Sequence, residues 1–251
     1  MVVKTTPPVP LNSWIDAENS KVPARFHGMR FASHGSSKYL YMDDAVRYAT
    51  ENGGVLQSLA EAAAIRVDND GSIADANAYQ LTRTVPLYFM ADGKWNVAVS
   101  DSASPDENLV LARSADAQKA FDGGRVWTLP QSNDLVKKLL ETAEKEGRVF
   151  ALPEQRQPYM VTLGAFGSDS VAKAFFGDVG PAYAGFLKAN NYKKGNFYLL
   201  DNGLQSIGEN EVGVRPVGLG NDGSLDLYSV GDVIGSVGRS RPVAPAKFFS
   251  P

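Results

Sequence analysis

Apolar and polar residues alternate between two periods along this chain. From Asp43 to Asn52, Ala45, Tyr48 and Ala49 fall at i, i+3 and i+4, and Gly53-Gly54 closes the run; the spacing predicts a helix. Ser58 followed by Glu61 forms a capping-box signature, opening an Ala-rich helix over Leu59 to Val67. Val85 to Met90 and Trp95 to Ser100 are β-rich runs joined at Asp92-Gly93, the sign of a hairpin. Arg25 to Ala32 and Leu109 to Ala112 read as strands, and the acidic stretch Asp101 to Asn108 reads as a loop. Helical spacing returns at Ser114 to Phe121, Ser132 to Glu146, Ser168 to Phe176 and Pro181 to Asn190.

The last quarter is predicted to be β. Asn196 to Leu200 faces Leu204 to Ile207 across Asp201-Asn202-Gly203, and Val212 to Leu219 faces Leu225 to Ser229 across Asn221-Asp222-Gly223. Pro216 inside its run marks an edge or a bulge. Together these elements predict an α+β fold, a mixed, mainly antiparallel sheet with packed helices. Residues 1–24, punctuated by proline, read as an extended arm with Trp14 and Ile15 as its apolar anchor. Residues 25–230 read as the globular body, with room for a subdivision near 130, and 231–251 as an extended tail.

One phrase recurs three times. Gly54-Val55-Leu56-Gln57-Ser58-Leu59-Ala60-Glu61 aligns without gaps to Gly124 through Gln131 and to Gly147 through Glu154. Each copy follows a helical run, so the join is helix, glycine stop, short apolar strand. The repetition is either a structural repeat or a reused junction.

Composition narrows the classes of function. A net charge of -3 with scattered basic residues gives no footprint for nucleic acid. No apolar run approaches the roughly 20 residues that span a bilayer, so no membrane partner is expected. Zero cysteines exclude disulfides, thiolate metal sites and cysteine nucleophiles. The first residues lack a continuous apolar stretch of the signal-peptide kind, which points to the cytoplasm or a virion assembled there.

The pattern from Tyr41 to Glu61 (small residues on a helix, Gly53-Gly54, then Leu56, Ser58, Leu59 and Glu61) resembles the first helix and following strand of the C-type-lectin-like fold. The branch it resembles is that of formylglycine-generating enzymes and of phage or bacterial display proteins. Val212-Gly213-Val214-Arg215-Pro216-Val217 is similar to a late strand of some bacterial lectin-like domains. The chain departs from that pattern in lacking its disulfide cysteines and its Glu-Pro-Asn or Gln-Pro-Asp triplet. The resemblance therefore implies a scaffold whose loops present a binding surface, without calcium-dependent sugar binding.

Candidate chemistry is sparse. His27 and His34, the two histidines, could join Asp43 or Asp44 in a metal site, or His34 could activate a neighbouring serine; this is the hydrolase reading. Seven residues of separation would put the two rings on opposite faces of an uninterrupted strand, and no G-x-S-x-G elbow is present, so packing and turn roles are favoured. Asp68 to Ser72 opens like a calcium loop but carries Tyr79 where the closing glutamate belongs. Gly218 to Gly223 spells G-x-G-x-x-G between two β runs without opening a helix. The expectation is a non-enzymatic ligand-binding or assembly module, virion- or surface-associated, with no cofactor. Its partner would be a protein or a second copy, and its ligand a carbohydrate or small molecule. The loops at Asp101, Ser104, Asp106 and Asn108 and at Phe166, Ser168 and Asp169 are the candidate binding surface.

Overall fold

A computed structural model describes residues 14–17, 20–33, 35–36, 40–70, 79–112, 114–123, 125–154, 158–200, 203–220, 226–228 and 241–244. Residues 1–13 of the arm, His34, Gly124 and the turns at Asp201-Asn202 and Asn221-Asp222-Gly223 lie outside that set. The chain begins with β1 (Trp14–Asp16), β2 (Arg30–Ala32), α1 (Met42–Glu51), β3 (Val55–Leu56) and α2 (Leu59–Asp68). β4 (Gln80–Leu81), β5 (Val85–Ala91), β6 (Lys94–Ser100), α3 (Pro105–Ala112), α4 (Ser114–Asp122) and β7 (Thr128–Pro130) follow. Next come α5 (Asp134–Lys145), β8 (Val149–Ala151), β9 (Tyr159–Thr162), α6 (Ser170–Phe176) and α7 (Gly180–Ala189). The last elements are β10 (Lys194–Tyr198), β11 (Glu211–Val214), β12 (Gly218–Leu219), β13 (Asp226–Tyr228) and β14 (Pro242–Ala244).

The strands form three sheets, ordered β1-β2-β14-β3, β4-β12-β13-β10-β9 and β7-β11-β5-β6-β8. Among the described residues only β10 and β13 pair in parallel; every other pairing is antiparallel. The expected α+β class holds. The β5–β6 hairpin turns on Asp92 (φ 53°) and Gly93 (φ 71°), the left-handed pair that a two-residue hairpin needs. The largest core gathers α2, α6 and α7 around Phe166, Phe175, Phe176, Tyr183 and Phe197. A second core packs α5 through Val136, Leu139 and Ala143 against Leu87, Ala98 and Val212 of the third sheet, and a third packs α1 against Leu56, Leu81 and Ala112.

Several expected elements differ. Arg25 to Ala32 is not one strand: Ala24–Phe26 is a 3₁₀ turn, and only Arg30–Ala32 is extended. Asp101 to Asn108 is half loop and half helix, and Leu109 to Ala112 completes α3 instead of making a strand. Pro105 heads that helix, Asp106 and Glu107 occupy its first turn, and the buried Asn108, Leu111 and Ala112 recur at i, i+3 and i+4. Leu204–Ser206 is a 3₁₀ turn held by Ser206 Oγ on the Gly203 carbonyl at 2.7 Å, so β10 pairs with β9 and β13 instead.

Val212 to Leu219 splits at Pro216. β11 belongs to the third sheet and β12 to the second, with Arg215 N–H on the Pro86 carbonyl and Val217 N–H on the Thr84 carbonyl on either side. Proline has no N–H to donate, and the ladder changes sheets around it. The segment assigned to an extended tail also contributes to the body: β14 lies between β2 and β3, with Arg241 and Val243 buried. Among the described residues, no helix is long and apolar enough to cross a membrane.

The threefold phrase proves to be a reused junction. Its first copy forms β3 of the first sheet and leads into α2, whereas the second and third end in β7 and β8 at opposite edges of the third sheet. In the second copy the strand begins past the aligned valine, at Thr128. Leu56 is 1% exposed, while its counterpart Val149 is 36% exposed.

Candidate ligand-binding cleft

The start of α2, the end of β6, the first turn of α3, one face of α5 and the end of α6 converge on a polar cleft. Two adjoining lobes of about 340 and 360 Å³ share Arg25, Ala60, Asp101, Glu146 and Arg148 as walls.

At the floor, Ser58 caps α2 and Glu61 bonds back to the Ser58 N–H at 2.6 Å. The same carboxylate takes both terminal nitrogens of Arg83, at 2.6 and 2.8 Å, while Arg83 also donates to the carbonyls of Leu56 (2.5 Å) and Asp101 (3.2 Å). Burial opposes the Arg83 charge, but the Glu61 charge and hydrogen bond and the Asp101 charge outweigh it and push the guanidinium pKa up. Asp101 accepts from Thr84 Oγ1 and pairs with Arg148 Nη2 at 2.7 Å. Arg148 Nε reaches the Ala174 carbonyl at 2.8 Å, tying the end of β6 to α6.

Toward the mouth, Lys138 Nζ lies 2.6 Å from Glu107 Oε1, and Ser102 Oγ donates to the other carboxylate oxygen. Those hydrogen bonds, Lys138 first and Ser102 second, hold the Glu107 pKa below its ordinary value against a desolvation that would raise it. Arg25 and Asp178 form a second rim pair at 2.6 Å.

Of the residues expected at the binding surface, Asp101 alone is a wall of the cleft. Asn108 is buried and donates to the Ser102 carbonyl at 2.8 Å; Ser104 Oγ accepts from the Glu107 N–H at 3.4 Å; Asp106 is exposed on α3. Asn108 and Ser104 thus brace the segment that carries Ser102 and Glu107. The second loop is elsewhere. Phe166 is fully buried against Phe176 and Phe197, and Ser168 Oγ donates to the Ala165 carbonyl. Asp169 caps α6 and accepts from the Tyr159 hydroxyl at 2.7 Å, at the end of the helix opposite the cleft. Burial first, then Asp169, pushes the Tyr159 pKa up to about 12.

His27 Nε2 bonds the Val22 carbonyl at 3.0 Å, a packing role, and Asp43 pairs with Arg47 on α1. Among the described residues, no three His, Asp or Glu side chains group as metal ligands. Glu61, Arg83, Glu107, Lys138 and Arg148 were not anticipated as site residues. Glu61 was legible only as a helix cap, and Arg148 stands in the repeated phrase where the first copy has Val55.

No protein-family model matches the sequence, and no curated protein matches it. A solved structure described as the accommodation of massive sequence variation in Nanoarchaeota by the C-type lectin fold superposes on 84% of this chain and 97% of its own. The TM-score is 0.51, at 11% sequence identity. The fold is C-type-lectin-like. Within the C-type lectin fold, the terminal strands β1, β2 and β14 share one sheet, and α1 and α2 flank β3, the segment whose residue pattern resembled this scaffold.

Proposed function

We propose that this chain is a non-enzymatic ligand-binding or assembly module, virion- or surface-associated, whose C-type lectin fold presents the polar cleft to a carbohydrate or other small molecule. The observation that carries the reading is a concave site lined by ionisable groups already paired with one another. Their surroundings move the Arg83 pKa up and the Glu107 pKa down, away from neutrality, so neither group is poised to exchange protons near pH 7. Such walls offer fixed donors and acceptors, which suits recognition over turnover. In the Nanoarchaeota protein the fold accommodates massive sequence variation. A scaffold with that tolerance supports a site whose side chains set the ligand while the cores set the shape.

Thr142 is an exposed residue of α5 at the cleft wall, so Thr142→Trp obstructs the cleft without touching a core. Binding of a sugar and small-molecule panel, followed by calorimetry, is expected to be lost in this variant with its Tm unchanged. Ligands held equally well by Thr142→Trp would move the binding surface elsewhere. The assembly side of the reading is supported by the proline-rich residues 1–13, and light scattering with and without them measures it: a mass that falls on their removal is expected, and an unchanged monomer counts against it.

A further inference from the structure

Of the five carboxylates along the cleft, Glu146 and Asp178 are more than half exposed, and the three less exposed ones, Glu61, Asp101 and Glu107, are not equally available. Glu61 and Asp101 are held by Arg83 and Arg148, whose side chains are 7% and 15% exposed, and breaking either pair strands a largely buried charge. Glu107 is different. Its own side chain is 19% exposed, but its partner Lys138 is 64% exposed and reaches in from the surface of α5.

Opening this pair is therefore asymmetric. If the Lys138 ammonium leaves, it goes to water at little cost, because it is already mostly solvated. The carboxylate left behind remains half-buried, fixed by Ser102, and lacks a counter-charge until another cation arrives. An anion recruited to Lys138 would draw that lysine off and leave Glu107 uncompensated. A cation replacing Lys138 leaves all three of these less exposed carboxylates paired.

We infer that the cleft takes a ligand bearing an ammonium or guanidinium group, which docks on Glu107 and Ser102 by displacing Lys138, an internal competitor for the same carboxylate. The inference rests on the cleft being the binding site and adds the ligand's charge. The lowered pKa of Glu107 agrees with it, since the Lys138 and Ser102 hydrogen bonds favour the ionised carboxylate. Lys138 then sets a threshold: only a cation that gains further contacts along the walls outcompetes a tethered lysine, whose effective concentration is high.

The test is amide NMR titration of the full chain with 1,4-diaminobutane, with succinate and with a neutral polyol, at physiological ionic strength. It is run on wild type, Lys138→Met and Glu107→Gln, each checked for an unchanged thermal transition. Lys138→Met is expected to tighten the diamine up to about fivefold, the equilibrium equivalent of an exposed ion pair. Glu107→Gln is expected to abolish its effect on the amides of Ser102 and Thr142. A Lys138→Met variant with unchanged or weaker diamine affinity overturns the inference. So does a cleft that answers to succinate or the polyol and not to the diamine, an outcome that leaves the cleft itself standing as a binding site. Silence at these amides with all three probes in all three proteins overturns both.

Discussion

Arg83 has only 7% of its side chain exposed, yet its charge is fully answered by two nitrogens on Glu61 and by the Leu56 and Asp101 carbonyls. Removing one member of such a pair costs more than the pair contributes, because the survivor remains desolvated. Arg83→Met is therefore expected to lower the free energy of unfolding by about 3 kcal/mol in urea titration. A loss below about 1 kcal/mol would mean that the pair behaves like a surface one. Glu107 carries a pH signature of the opposite kind. Its folded pKa lies below the ordinary 4.5, so its contribution is fully present above 4.5 and is lost as the pH falls through the depressed folded value. The stability difference between wild type and Glu107→Gln should be constant from pH 7 to 5 and vanish in stronger acid. A difference that grows on acidification would contradict the assignment. Because Lys138 is mostly solvated, the difference is expected to be at most about 1 kcal/mol.

At the scale of elements, the same glycine in a repeated phrase answers two separate demands. Gly147 has φ 66° with open space around it, so its role is to stop α5 in the left-handed region. Gly54 has no such angle; a Cβ there would sit 2.6 Å from the Val243 carbonyl oxygen and close to Trp14. Gly147→Ala should cost about 1–2 kcal/mol, and Gly147→Asn should recover part of it, since asparagine tolerates that region. Gly54→Asn should recover nothing relative to Gly54→Ala. Equal rescue at both positions, read by thermal unfolding, would show that the junctions are equivalent after all. The elements best read from the sequence were those with two agreeing signals: α2 with its capping box, the β5–β6 hairpin with Asp92-Gly93, and α5 with its helical spacing and the glycine stop at Gly147. α3 was misread because Leu109 to Ala112 is a short apolar run, which periodicity alone assigns to neither helix nor strand. Pro105 and the acids after it held the answer. The cleft was less legible, since Arg83, Glu107 and Arg148 meet across long sequence separations and each alone looks like an ordinary surface charge.

Among the described residues the strands form three sheets and the buried side chains three apolar cores, with β14 as the strand that completes the first sheet. Val243 pairs with Phe31 on one side and Val55 on the other, and Arg241 donates to the Ala32 carbonyl. A chain ending after residue 240 should lose the cooperative thermal transition that one ending after 245 retains. Matching transitions for the two would show that β14 is dispensable.

The position of β14 also orders events in time. Arg241 is separated from its Ala32 acceptor by 209 residues, so β2 and β3 leave the ribosome long before the strand that must sit between them. During synthesis both strands carry a bare backbone edge in that gap, open to any extended peptide that reaches it. The first sheet is therefore sealed only once Pro242–Ala244 has been made, and a polypeptide stalled short of Pro242 would present a vacant slot of strand width.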